Sequence, residues 1–506
     1  MLTGSTRSGD LEKVITRISK SQYLKGLQCP KALWFYRHRP DLYPEIPAAR
    51  QHLFDSGHEV GKLAQKYFAG GIEITDAYDD IDQAISSTAQ AVSEGCPAVF
   101  EAAACSADGA YSRIDILKQV ENGRQWDLIE VKQSTRVKDY HLNDMALQRY
   151  AFEGAGYAVR KSILMHIDSA YIRSGDVDPK GLFALEDCTD MVLSRLPEVP
   201  GFLKGLLQVV NAQTEPAVGI GDRCFHPFEC EYVHHCWQHV PAYSVYNVLK
   251  GAQLQETLNN GILDVADMPD HITLTDRKAI DVAAWKDNTV HVDKQRIREY
   301  LNAFAYPLYY LDYETVFPAI PIYDSTSPYQ QIPFQFSLHI QTHSGGDGVH
   351  IEFLHTEPSD PRPSFIQALL HHCGSRGTVV VYNQAFESRI NRELGQAFPK
   401  YAASLAALND RMKDLLIPFR SRYLYHPGMQ GSASIKHVLP AFVPELNYDD
   451  LEISDGSTAS MVYLACMKGT LSAAKKEILY QNLRKYCAMD TLAEVKLVET
   501  LYEFSK

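Results

Sequence analysis

SRIDILKQVENGRQWDLIEVKQS, residues 112–134, decides the reading of the first half of this chain. Two apolar runs, each interrupted by a carboxylate, flank ENGRQ (121–125), whose asparagine and glycine are turn residues. The stretch predicts a β-hairpin. Glu130 and Lys132 stand at i and i+2 on its second strand, so both side chains leave the same face. Asp115 on the first strand can meet them there. Such carboxylates bind Mg²⁺ or Mn²⁺ through oxygen, and a lysine beside them can orient water or stabilise developing phosphorane charge. Taken alone, D…E-x-K equally describes the alternating charges of a solvated sheet face.

The surroundings extend the pattern. VFEAA (99–103) and KSILMHID (161–168) read as further strands, and residues 17–38, 48–69 and 139–155 as helices. His58 lies on the second of these helices, in GHEVGKLA; Gln148 and Tyr150 lie on the third. Four cysteines frame this set: Cys29 alone, then Cys224, Cys230 and Cys236 spaced C-x5-C-x5-C. Four thiolates can hold zinc or an iron-sulfur cluster. The C-x2-C knuckles common in zinc sites are absent, whereas His226, His234 and His235 within the trio keep a mixed Cys/His zinc site open. The other cysteines (96, 105, 188, 373, 466, 487) are scattered and read as core thiols.

At 506 residues the chain is expected to hold two or three domains. Its apolar runs are short and broken by charge, so no membrane span is expected. The polar start MLTGSTRSGDLEKVITRISK carries no apolar signal region, which points to a cytoplasmic protein. There, clustered cysteines more often bind metal than pair as disulfides. The net charge of −13 excludes a generic basic nucleic-acid coat. It is compatible with a nuclease, whose bound cations invert the local potential. Lys13, Arg17, Lys20, Lys25, Lys31, Arg37 and Arg39 concentrate basic charge near the start, either as a solvated helix face or as a phosphate track.

PLYYLDYETVF (307–317) opens a second pattern of three strands, helix, strand and helix. Asp312 and Glu314 alternate on its first strand and share a face. Charges on so apolar a strand call for a cation or a partner. Glu387 falls on the first turn of the helix after TVVVYN, within reach of the sheet edge. Tyr486 and Asp490 in YCAMDT are i and i+4 on a terminal helix, one above the other. Four convergent carboxylates suit a two-cation phosphoryl site, with the tyrosine placed to position water. Asp414 reads as a strand-end residue. Lys436 could meet a phosphate, though a surface role is commoner. Residues 240–300 read as short connecting helices.

QCPKALWFY, the cysteine trio and the D…E-x-K hairpin together resemble RecB-type PD-(D/E)xK nucleases of the iron-sulfur branch. The resemblance implies that His58, Asp115 and Glu130 are metal ligands, that Lys132 is catalytic and that Gln148 belongs to the helical motif. That motif often reads Q-x3-Y, whereas this chain has Gln148 with Tyr150. It also implies a structural 4Fe-4S cluster on Cys29, Cys224, Cys230 and Cys236, with zinc the alternative. The second half resembles DnaQ-type DEDD exonucleases with Y-x3-D in the last motif. This implies metal ligands at Asp312, Glu314, Glu387 and Asp490, with Tyr486 catalytic; aspartate is more usual than glutamate at the third position.

End to end, the order is similar to a bacterial family of unknown function that joins these two modules, anchored by IPIYD, PYQQIPFQFSLH and YCAMDTLA in the second half. The expected fold is α/β. A restriction-endonuclease-like domain (1–240), a helical linker (241–303) and a ribonuclease-H-like domain (304–506) follow one another.

The expected function is metal-dependent cleavage of DNA at single-stranded or free ends, by analogy from 5′ ends at the first site and 3′ ends at the second. The setting would be DNA repair or phage defence. No G-x4-G-K-[ST] loop occurs, so unwinding would fall to a helicase or defence-system partner. An RNA exonuclease, and a nucleic-acid-binding or assembly subunit with inactive sites, are the alternatives. Tyr313, Phe317, Tyr329 and Phe334 could stack on bases, although core packing is the commoner use of such residues.

Overall fold

Pro30 shapes the start of the fold. The residue before a proline is driven out of the helical region, and Cys29 is accordingly extended (φ −155°, ψ 110°). The expected single helix is therefore two, Lys20–Gln28 and Pro30–His38, with Cys29 at the joint. Ser19 caps the first: its Oγ accepts from the Gln22 N–H at 3.3 Å while Gln22 Oε1 accepts from the Ser19 N–H at 2.9 Å. The structure, a computed structural model, describes residues 14–45, 48–120, 123–346, 348–448 and 451–506. Lys13 and the turn residues Glu121 and Asn122 lie outside them.

The chain forms two compact units, residues 1–238 with 319–328, and residues 239–318 with 329–506. The first is built on a mixed seven-stranded sheet. Ala98–Cys105, Ala110–Val120 and Gln125–Lys132 run antiparallel. The helix Asp139–Gly154 then crosses over so that Val159–Ile167 returns parallel to Gln125–Lys132. The sheet core gathers Val99, Ile114, Leu117, Leu128 and Phe152. A second cluster sets Leu147, Leu164, Leu203 and Leu206 together beneath the helices.

In the second unit Leu308–Val316, Ile332–Gln341, Val349–Leu354, Thr378–Val381 and Met412–Asp414 form a five-stranded sheet. Numbered along the chain, they lie in the order 3-2-1-4-5. The first three are antiparallel and the last two parallel to the central strand or to each other. Tyr313 and Phe334 are core residues, Tyr329 is half-buried and Phe317 is 42% exposed. No helix among the described residues is long and apolar enough to cross a membrane.

Two segments fold elsewhere than their place in the sequence suggests. Residues 241–303, read as a linker, belong to the second unit. Asp281, on the helix Asp276–Asp287, accepts from Arg422 Nε at 2.5 Å and Nη2 at 3.0 Å, and both side chains are almost wholly buried. Residues 319–328, which carry the IPIYD motif, belong to the first unit, where the Gly175 N–H reaches Asp324 Oδ1 (2.8 Å) and Arg173 Nη1 reaches the Pro321 carbonyl (2.8 Å). Removing one member of a buried ion pair strands the other charge. Asp281→Ala should therefore destabilise the second unit by about 3–5 kcal/mol, read as an earlier urea-unfolding transition; an unchanged midpoint would show that Arg422 is solvated.

Candidate functional site

In the first unit the hairpin register sets Ile116 opposite Ile129 and so brings Asp115 beside Glu130. Asp115 Oδ2 accepts from the Val131 N–H at 2.6 Å. Glu130 is buried and accepts from Lys132 Nζ (2.5 Å), Lys20 Nζ (2.8 Å) and Gln148 Nε2 (2.5 Å). Lys132 also reaches Asp144 Oδ2 at 2.9 Å. Burial alone would raise the Glu130 pKa; Lys132 and Lys20 instead hold it well below the usual range. Burial, then the charge of Glu130, pushes Asp115 upward.

In sequence Lys20 reads only as part of the early basic stretch, and Asp144 and Glu101 are not singled out. Lys20 and Asp144 arrive from helices. Glu101 sits at an irregularity of its strand with φ 55°, between the Phe100–Ile116 and Ala102–Ile114 pairs, and the charges of Glu130 and Lys20 act on it. The register is unbroken on either side, so Glu101 stands opposite Asp115 in a backbone conformation uncommon outside glycine.

His58 is placed differently. It is exposed on the helix Ala48–Gln65, with Nδ1 2.9 Å from the Phe54 carbonyl, and makes no hydrogen bond to the carboxylates. Tyr150, two residues from Gln148, faces away and donates to Asp108 (2.6 Å). The early basic residues are engaged with acids: Arg17 with Asp82, Lys25 with Glu231, Lys31 with Glu215 and Arg39 with Asp41.

Cys29, Cys224, Cys230 and Cys236 line a single cavity with Phe35 and Tyr232. All four are free thiols. Of the scattered cysteines, Cys96, Cys188, Cys373, Cys466 and Cys487 are buried as expected, and Cys105 is only half-buried. Cys487 is more than filling, since its Sγ stands 3.7 Å from Asp312 Oδ2.

In the second unit Asp312, Glu314 and Asp490 offer ligand atoms that all lie within 4.8 Å of one another. Asp312 and Glu314 come from the central strand and Asp490 from the helix Ala473–Ser505. Glu314 also meets the start of the helix Gly456–Met467, where a Cβ on Gly456 would stand 3.6 Å from Oε2. Glu387 occupies the first turn of Gln384–Ala397, aimed by Asn383 in the left-handed region (φ 81°). Asp414 acts as the expected strand-end residue and accepts from the Asn383 N–H at 3.0 Å. Tyr486 is buried next to Asp490, with its ring 6.3 Å from that of Tyr448, and the Tyr448 hydroxyl donates to Asp490 Oδ1 at 2.7 Å. Lys436 Nζ donates to the Ser454 carbonyl (2.5 Å) and lends positive charge to Glu314 and Asp490.

This cluster is short of countercharge. Burial and then Asp490 push Asp312 and Glu314 well above the carboxylate range. Burial raises Asp490 to about 7 and Glu387 to about 8. Buried acids in this state hold protons until a cation replaces them. Glu387 Oε2 has no hydrogen-bond partner.

Fold and site together define a two-unit α/β protein with a buried cluster of convergent carboxylates. Residues 309–434 match a family described as Domain of unknown function (DUF2779); the match takes in Asp312, Glu314 and Glu387 and stops before Asp490. An uncharacterized protein of Mycoplasma genitalium (MG366) is 23% identical over 249 residues, 46% of this chain and 37% of that protein. Its homologue in Mycoplasma pneumoniae is 23% identical over 212 residues, 38% of this chain and 32% of that protein. The chain thus spans about a third of the length of these relatives. No solved structure matches.

The raised carboxyls fix the sign of a pH effect. Protonated in the folded state, they contribute stability below the unfolded carboxylate range. That contribution is lost as pH rises through about 7 for Asp490 and about 8 for Glu387. Without divalent metal, the second unit should melt at a lower temperature at pH 8 than at pH 6. Mn²⁺ should raise its melting temperature more at pH 8; equal metal effects at both values would contradict this.

Proposed function

We propose that the chain is a metal-dependent nuclease with two hydrolytic centres and an iron-sulfur cluster. The observation that carries the reading is the buried triad Asp312, Glu314 and Asp490, with Glu387 and Tyr486 around it. Carboxylates so placed would hold Mg²⁺ or Mn²⁺, which polarises a phosphoryl oxygen and lowers the pKa of bound water. Tyr486 would orient the attacking water. The 3-2-1-4-5 strand order supports a ribonuclease-H-like frame of the DnaQ kind, and the Asp115, Glu130 and Lys132 hairpin a RecB-like one. In the first centre Lys132 would stabilise phosphorane charge while Gln148 steadies Glu130. DNA with single-stranded ends is the proposed substrate.

Four unpaired cysteines around one cavity fit a metal group, and the order of one isolated cysteine followed by a trio supports a 4Fe-4S cluster by resemblance, with zinc the alternative. The group would tie the Cys29 joint to the 224–236 segment and so close the first unit.

The test is a time course on end-labelled single-stranded DNA and RNA with Mn²⁺ or Mg²⁺, using anaerobically purified protein. Asp312→Ala and Lys132→Ala should each remove one component of cleavage by at least about a hundredfold, the scale on which single transition-state groups act. Absorbance near 400 nm should disappear in Cys230→Ser. Cleavage unaffected by both site substitutions would refute the nuclease reading, and preference for RNA would reassign the substrate.

A further inference from the structure

Tyr78, in the loop before the helix Ile81–Ser93 of the first unit, is 74% exposed, the most of the large apolar and aromatic residues described. Leaving such a ring in water is costly, yet the backbone keeps it there. At one end of the loop Ile74 is buried and its N–H donates to the Phe100 carbonyl at 2.9 Å. At the other, Asp80 caps the helix: its side chain accepts from the Gln83 N–H at 3.3 Å, and its own N–H donates to the Ala77 carbonyl at 3.1 Å. Between them Arg113 Nη2 donates to the carbonyls of Asp76 (3.0 Å) and Ala77 (2.9 Å).

Arg113 ties this loop to the carboxylates. It is buried and precedes Asp115 by two residues on Ala110–Val120, so both side chains leave the same face. Its carbonyl accepts from Gln148 Nε2 at 3.3 Å, the amide that also holds Glu130. Its Nε donates to the Tyr111 hydroxyl at 3.1 Å. These partners are neutral oxygens, which leave the positive charge in place. The guanidinium carbon lies 4.7 Å from the centre of the Tyr78 ring, so a fixed cation backs one face of the ring. The charges of Glu101, Asp115 and Lys20 also act on this phenol. Tyr78 thus stands at the edge of the Asp115, Glu130 and Lys132 cluster.

We infer that Tyr78 is a nucleobase platform: an unpaired base stacks on its open face and so places a neighbouring phosphate at the cluster. This rests on the nuclease reading of the first unit and names the group that holds the strand there. Beside Glu101, Asp115, Glu130 and Asp144 a phosphate is poorly held by charge alone, whereas stacking on a π-face is insensitive to those acids. The clamped loop means that little ordering is needed on binding. Bases within a duplex are already stacked on each other, so the platform selects single strands.

The test uses the full chain and DNA single strands carrying 2-aminopurine, whose fluorescence falls on stacking, placed in turn at successive nucleotides from either end, with Ca²⁺ to hold back cleavage. Wild type should quench one position, as should Tyr78→Phe and Tyr78→Trp, which keep the ring face. Tyr78→Ala, an exposed substitution, should melt at an unchanged temperature, lose that quenching and bind the strand about tenfold more weakly. An abasic nucleotide at the same position should weaken wild type by a similar factor and Tyr78→Ala no further. Quenching that survives in Tyr78→Ala at every position would overturn the inference, as would a wild type that binds no single strand. A loss in Tyr78→Phe equal to that in Tyr78→Ala would also overturn it, by making the hydroxyl the contact. Failure of the nuclease reading is distinguishable: quenching that depends on Tyr78 in a protein that cuts neither DNA nor RNA would leave the platform standing and remove the hydrolysis.

Discussion

Negative charge buried away from water must be answered by positive charge, by hydrogen bonds or by protons. Much of this molecule is arranged around that requirement. The two units meet it in different ways. In the first, the answer is built in: Lys20 and Lys132 converge on Glu130 and Asp144, with Gln148 taking the remaining oxygen of Glu130. Both lysine side chains keep about a quarter of their surface exposed, so the cluster opens toward solvent on their side. In the second, Lys436 and the hydroxyl of Tyr448 serve one flank, and the carboxyls on the other flank are left to protons or to a cation.

That difference has chemical consequences. A lysine that neutralises a carboxylate competes with a metal ion for it. A cation bound in the first unit would have to displace Lys20 or Lys132 from Glu130. A cation bound in the second unit would displace protons rather than side chains, and its binding would depend on pH. The strand and helices that aim the acids are themselves fixed by ordinary packing. Leu311 and Val381 anchor the sheet, and the buried Asp281–Arg422 pair binds the 239–303 segment into the same unit.

Much of this was legible in sequence because it is local. Period-two alternation placed Asp312 with Glu314 and Glu130 with Lys132. The four-residue spacing put Tyr486 above Asp490, and turn residues at 121–125 marked the hairpin. What escaped the sequence is set by distance along the chain. Lys20 meets Glu130 across 110 residues, and the helices that bring Lys20 and Asp144 together carry no spacing that announces it. Glu101 left no signal, because nothing in its local sequence marks a left-handed backbone at that position. The exposure of His58 reflects how its helix is rolled against the sheet, which its own spacing does not fix. The break at Cys29 was written in Pro30, and the allegiance of residues 319–328 to the first unit follows from partners such as Arg173 that lie far away in sequence.

If the acids of the second unit are a cation site held protonated until metal arrives, binding must exchange protons for the ion. Calorimetric titration of Mn²⁺ at pH 6.5, repeated in buffers of different ionisation enthalpy, measures the protons released on binding. Release of about one proton or more per ion bound is expected, lost together with binding in Asp312→Asn. Binding that releases no protons, or that is indifferent to Asp312, would contradict it.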